Sequence, residues 1–344
     1  MKNIKIALFS VFCALLCMWF AACSNDKASN QKPSTDSLKT LELAVINADT
    51  PLFAIVVNRD IQMKRYFPFM DSVVLAYDSL VAYTLTEHLL VRCNPWIIDT
   101  LQSYDYDLRM PKGQFIKDQK EEVMLRKGDT LFVPNDSAAA KMLRLFAQTT
   151  IDVNIPEFKL RIMEGDTAKY VFPVRVGRDE EKFLGMAGRV ASLRTPNGEG
   201  SIVRIEKNPL YMNPVDGQRY YATHRDDGKL TQLPQIPFLE PEINGQRPGS
   251  LIHPTTNPHS LGKAYSNGCV GTSEHAAWVV YYHAPVGTKV RFRYDLKVMD
   301  EKGDTLELKN VYKLKFPLKK SQAFQPLLCR MDTLSDGSVV HVCK

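Results

Sequence analysis

The chain has 344 residues, 44% of them apolar and 24% charged, with a net charge of +6 spread over interspersed acidic and basic residues. That composition is ordinary globular material, and the lack of a basic stripe excludes a protein built to bind nucleic acid. No Cys-x-x-Cys pair, His-Glu-x-x-His pair or glycine-rich nucleotide loop occurs in the sequence, so neither a metal centre nor a cofactor is expected.

Met1 through Lys5 is a short basic region, Ile6 through Phe20 an apolar run, and Phe20-Ala21-Ala22-Cys23 sets small residues before a cysteine. The run is short for a membrane span, and the pattern reads as a lipoprotein signal peptide over 1–22, cleaved so that Cys23 carries the lipid. An ordinary secretory signal or a short membrane anchor is the other reading. The protein is then expected in the cell envelope, lipid-anchored and facing the periplasm, and Ser24 in place of an aspartate points to the outer membrane. Residues 23–40 are polar and read as a flexible tether.

The segment 41–149 reads as a small α+β domain. Val73 through Leu90 and Ala138 through Phe146 have helical periodicity, and Arg126 through Pro134 is a turn leading into a strand. From 150 to 295 the pattern is mainly β. Lys169–Val176, Gly200–Ile205 and Lys289–Tyr294 alternate apolar and polar residues near period two, with Gly and Pro turns between them. The stretch from Pro209 to Pro248 is long, polar and Pro-rich, and part of it reads as a lid. Glu274 through His283 follows the capping residues Thr272-Ser273 and reads as a short helix whose aromatics belong to the core. The expected fold is therefore a mixed β-sandwich with a short helix, preceded by the small α+β domain. Leu306–Leu308 and Val311–Phe316 make 296–344 a strand-rich appendage with no assigned function.

The chemistry concentrates around Cys269, in Ser266-Asn267-Gly268-Cys269-Val270-Gly271, sixteen positions after His253. A thiol attacks a carbonyl as thiolate, and a nearby imidazole that takes its proton makes it reactive. Turn formers between the two, from Asn257 to Ala264, let the chain leave one strand end and return beside it. Gly268 allows consecutive amide N–H groups to converge as an oxyanion site. The other reading is an inert buried thiol and a polar surface histidine. His224 and His275 could join His253 as metal ligands, but polar loop histidines are the simpler reading. Of the remaining cysteines, Cys329 and Cys343 can pair across a hairpin turning at Asp336-Gly337 in an oxidising compartment, with Cys269 expected free.

Ile252-His253-Pro254-Thr255-Thr256-Asn257-Pro258, followed by Leu261-Gly262-Lys263-Ala264-Tyr265-Ser266-Asn267-Gly268-Cys269-Val270, resembles the active-site region of the L,D-transpeptidase catalytic-domain family of the YkuD type. In that family an Ile-His-Gly-Thr histidine precedes [Ser/Thr]-His-Gly-Cys-[Ile/Val]-Arg. Val153–Leu160 and Pro173–Gly177 look like its first two strands, Thr195-Pro196-Asn197-Gly198 like its Thr-Pro-x-Gly turn, and Val286–Val290 like its closing strand. The chain departs from the pattern at Pro254, Asn267 and Gly271, where the family has Gly, His and Arg. An arginine at the last position would orient carboxylates by paired hydrogen bonds. With glycine there, Arg194, Arg204, Arg225 and Arg247 are the candidates for substrate binding, by residue type.

The resemblance implies an L,D-transpeptidase catalytic domain over 150–295 that acts on peptidoglycan stem peptides. Cys269 would be the nucleophile and His253 its base, with Gly268, Ser266 and Asn267 supporting the loop. A hydrolase of the same fold that trims stems or detaches wall-linked proteins is the second reading, and a non-catalytic wall-binding lipoprotein the third. Asn94-Pro95-Trp96 and the Lys127–Pro134 stretch faintly resemble the small glycan-binding module that often precedes this domain; a generic spacer is the other reading.

Overall fold

The computed structural model describes residues 50–299, 304–315, 329–333 and 339–343. The expected signal peptide, Cys23 lipid site and tether lie outside the described residues.

Between Met63 and Gln148 the chain is mainly helical: α1 is Met63–Tyr77, α2 Glu87–Cys93, α3 Trp96–Ser103 and α4 Asp136–Gln148. The periodic run from Val73 to Leu90 is not one helix. After α1 a 3-10 turn covers Asp78–Leu80, and the Asp78 carboxylate accepts a bond from the Leu85 N–H at 2.7 Å, which turns the chain back. Thr86 then starts α2 by accepting from the Leu89 N–H at 3.1 Å. Periodicity joined the two helices because both bury an apolar face in the same core. The turn expected before a strand is present, with Gly128 at φ +97° leading into Thr130–Val133.

One large mixed sheet holds the rest together. Its strands are β1 (Thr149–Asn154), β2 (Lys159–Glu164), β3 (Thr167–Pro173), β4 (Gly198–Glu206), β5 (Phe238–Ile243), β6 (Ile252–Pro254), β7 (Val270–Thr272) and β8 (Lys289–Arg293). They lie in the order β7-β6-β5-β4-β8-β1-β2-β3, with β6–β7 and β8–β1 parallel and the other neighbours antiparallel. The run Lys169–Val176, expected as a single strand, is split. Pro173 has no N–H to continue the ladder, so β3 ends there. Arg175 instead exchanges backbone bonds of 2.8 and 2.9 Å with Gly271, and Val176–Gly177 pairs with Ala264–Ser266. This change of partner carries Arg175 to the edge of β7.

The expected helix is α5 (Glu274–His283), opened by Ser273, whose hydroxyl accepts from the Ala276 N–H at 3.4 Å. It is buried nearly all round, between β6 and the helices α2 and α3. Phe67 of α1 meets Trp278 and Tyr281 ring to ring, and Tyr281 and Tyr282 both donate to the buried carboxylate of Glu87. The helical segment and the sheet thus share one core. Toward the end of the chain, Cys329–Thr333 pairs antiparallel with Val339–Cys343, with Cys329 opposite Cys343 in register. The disulfide expected between them lies outside the described residues, since only backbone is described there.

Candidate active site

In the parallel pair β6/β7, His253 stands opposite Gly271 and Ile252 opposite Val270. Side chains alternate along a strand, so Cys269, two residues before Gly271, shares the face of Gly271 and His253. A cleft of about 530 Å³ opens on that face, and Cys269, His253, Ser266, Asn267 and Asn257 all line it. The loop between the strands therefore brings the two predicted reactive side chains to one cavity.

His253 Nδ1 lies 2.8 Å from the Pro254 carbonyl oxygen. A carbonyl can only accept, so Nδ1 carries the hydrogen and Nε2 of the neutral ring is the basic nitrogen. The Phe238 ring, 4.8 Å away between centroids, packs against the imidazole. Cys269 is a free, half-buried thiol with Sγ 3.9 Å from the Gly249 carbonyl. Burial pushes its pKa up, while a hydrogen bond from the Leu251 backbone and the charge of Arg175 pull it down, leaving it raised. A raised thiol does not stand as thiolate at neutral pH; it needs a base when it reacts.

The loop that presents the sulfur is held from below. Gly268 has φ +107°, a conformation that L side chains rarely adopt. Its carbonyl accepts from Thr195 Oγ1 at 3.0 Å, and Thr195 Oγ1 accepts from the Gly177 N–H at 2.8 Å. The buried Tyr312 closes this brace, its hydroxyl donating to the Gly177 carbonyl at 2.9 Å and accepting from the Thr195 N–H at 3.1 Å. The appendage read without a function thus supplies a side chain that fixes the loop carrying Cys269. Ser266 Oγ donates to the Cys269 carbonyl at 2.6 Å, and Asn267 Oδ1 accepts from the Arg178 guanidinium at 2.5 Å.

None of the four arginines expected to bind substrate lines this cleft. Arg194 pairs with Asp179 and donates to the Tyr312 carbonyl. Arg204 lies 3.7 Å from Glu206, and Arg247 grips the buried Glu240 with two bonds of 2.7 and 2.5 Å. Arg225 is sealed in the interior against Glu274, at 2.6 Å with both side chains 1% exposed. Each sits beside a carboxylate of the protein itself. The arginines that reach the cleft are Arg175 and Arg178, which sequence reasoning passed over. The missed signal was Gly271: a glycine on the same face as Cys269 marks a close approach by another group. A Cβ there would lie 2.6 Å from Arg175 Nε and 2.7 Å from its Cγ.

The long Pro-rich stretch contributes to the cleft in its first part, through Pro209, Leu210, Tyr211, Met212, Pro214 and Tyr220, and again at Phe238 of β5. The hairpin Glu181–Leu184 with Arg189–Ser192 faces it, adding Leu184 and Met186. Gly185 N–H donates to the Val215 carbonyl at 2.9 Å, and a Cβ on Gly185 would meet that oxygen at 2.4 Å, so the two flaps meet over an apolar wall. The middle part lies elsewhere. Gln232 N–H donates to the Lys117 carbonyl at 2.8 Å, and Arg225 lies over the Tyr106 ring. His224 and His275 are not near His253 as ligands would be: His275 bonds Asp105 at 2.7 Å, and His224 the Gly228 carbonyl at 3.3 Å. Among the described residues no group of three His, Cys, Asp or Glu is placed to hold a metal ion.

Comparison with known proteins matches residues 148–292 to the family described as the L,D-transpeptidase catalytic domain, YkuD. No curated protein matches the chain. Among solved structures, an L,D-transpeptidase from Mycobacterium smegmatis is 15% identical, covering 42% of this chain and 58% of that one, with a TM-score of 0.29. One from Mycobacterium tuberculosis is 17% identical over 42% and 57%, at 0.29. An L,D-transpeptidase fragment from Xylanimonas cellulosilytica is 12% identical over 71% of this chain and all of that one, at 0.31. The chain thus spans just over half the length of the mycobacterial enzymes. The segment that matches this family, 148–292, is the one that carries His253 and Cys269.

Proposed function

We propose that the protein is an L,D-transpeptidase of the bacterial cell wall that acts on peptidoglycan stem peptides through a thioester on Cys269, with His253 as its base. One observation carries this reading: the imidazole on β6 and the thiol just before its parallel neighbour β7 share one face and one cleft, and the ring's protonated nitrogen is tied to Pro254. Because burial raises the thiol pKa, the proton must leave Sγ during attack, and the lone pair of His253 Nε2 suits that task.

As sulfur bonds to the carbonyl carbon of the third stem residue, the thiol proton passes to His253. Backbone N–H groups at Gly268 and Cys269 hold the oxyanion, on a loop braced by Thr195 and Ser266. The carbon–nitrogen bond to D-alanine then breaks, and the imidazolium returns its proton to the leaving amine. An amine of a second stem attacks the thioester, gives its proton to His253, and expels the sulfur, which regains the proton. The signal pattern at residues 1–23 supports an envelope setting, anchored by lipid on the periplasmic side of the outer membrane.

The test is incubation of the purified protein with tetrapeptide muropeptides. D-alanine release that disappears in Cys269→Ala is expected, and release that survives the substitution would refute the nucleophile. Product masses with and without added amine separate transfer from hydrolysis: mass increments of the added amine support a transpeptidase, and tripeptide alone makes the protein a hydrolase.

A further inference from the structure

Arg175 reaches the cleft by an unusual route. The chain leaves the large sheet at Pro173, bridges to Gly271, and lays the arginine stem where a side chain at 271 would stand. Gly271 is opposite His253 and on the face of Cys269, and Arg175 lines the same cleft as both. Its own contacts are few. Nη1 reaches Ser260 Oγ at 3.4 Å, a long bond, and the buried Nε has no hydrogen-bond partner. Among the described residues no carboxylate forms an ion pair with it, although Arg178, three residues on, has Glu180 at 3.6 Å. A guanidinium offers a fork of donors matched to a carboxylate, and among the described residues no carboxylate bonds this fork, although the charge of Asp226 acts on it from farther away.

We propose that Arg175 is the specificity-determining residue of the cleft, binding the terminal carboxylate of the donor peptide next to the bond that is cut. The inference rests on the function proposed above and adds the group that selects the donor. The peptide unit attacked by sulfur and the carboxylate of the departing residue are separated by a single α-carbon, which matches an anchor that borders the nucleophile. Gly271 is the permissive half of the arrangement: only a residue without a side chain leaves room for the stem.

The experiment compares a tetrapeptide stem ending in a free carboxylate with its C-terminal amide, reading kcat/KM for each. The native protein should prefer the free acid by about tenfold or more, the worth of a charge-assisted bond. Arg175→Gln, which keeps the stem over Gly271 but removes the charge, should bring the ratio to within about twofold of unity, while an electrophile still labels Cys269. The exchange Arg175→Ala with Gly271→Arg should restore part of the preference, whereas Gly271→Arg alone should lose it. An acid preference that survives Arg175→Gln overturns the proposal and leaves the nucleophile untouched. Equal use of both donors by the native protein does the same. If the native protein cleaves neither donor and Cys269 reacts no faster than an ordinary thiol, the proposed function fails and this inference fails with it.

Discussion

Arg225 and Arg175 are the same kind of residue in two different electrostatic settings. Arg225 is buried with Glu274 at the start of α5, and its charge is cancelled inside the protein, where Gln119 and the Tyr106 N–H also bond the carboxylate. Arg175 stands at the edge of the cleft bonded to a serine, with the charge of Asp226 acting on it only from beyond ion-pair distance. The first arginine serves folding and the second is left for a ligand, and residue type alone cannot tell them apart. What separates them is whether the chain bonds an acid to the guanidinium.

The largest test of that contrast is stability. Arg225→Ala leaves Glu274 buried without its partner, and a loss of about 3–5 kcal/mol in denaturant unfolding is expected. Adding Glu274→Leu should recover much of it, because the stranded charge goes too. Arg175→Gln removes no internal ion pair and should cost within about 1 kcal/mol. Comparable losses at both positions would erase the distinction.

Gly271→Ala is expected to have an intermediate effect. The added Cβ would press on the Arg175 stem at 2.6 to 3.0 Å, so the stem must shift. A cost of about 1–3 kcal/mol is expected from overpacking, together with a lower acid-over-amide ratio. An unchanged ratio would mean that the guanidinium does not depend on its seat over position 271.

The smallest effect is read in pH. Burial raises the Cys269 pKa and Arg175 lowers it, so at any pH the folded protein holds less thiolate than an unperturbed cysteine. Alkylation by a neutral reagent should rise with pH and reach half its maximum above about 8.5, the value of an ordinary thiol. In Arg175→Gln the midpoint should move higher still, since one influence favouring the anion is gone. A midpoint that falls instead would show that Arg175 does not act on the sulfur.

The meeting of Cys269 and His253 in one cleft was legible because its signal is local. Ser266 through Val270 spells the nucleophile's loop, Gly268 has the backbone that the loop needs, and turn formers between His253 and Cys269 imply a return to the same edge. Helix α5 was legible for a like reason, with a capping serine followed by apolar spacing. The run Val73–Leu90 misled because apolar period reports which face is buried and not where the chain breaks. Part of the Pro-rich stretch was placed over the cleft, yet its later turns hold Arg225 against α5, which no local pattern announces.

By itself the sequence determined the chemistry on offer: a thiol, an imidazole, a loop that can present one to the other, and alternating strands to carry them. Only the tertiary structure decided which charges are cancelled and which remain for a ligand. The reason is range. Periodicity, capping and glycine conformation act between residues a few positions apart, whereas the partner of a guanidinium is whatever distant strand or helix the fold lays against it, as Glu274 is laid against Arg225 and Gly271 beneath Arg175.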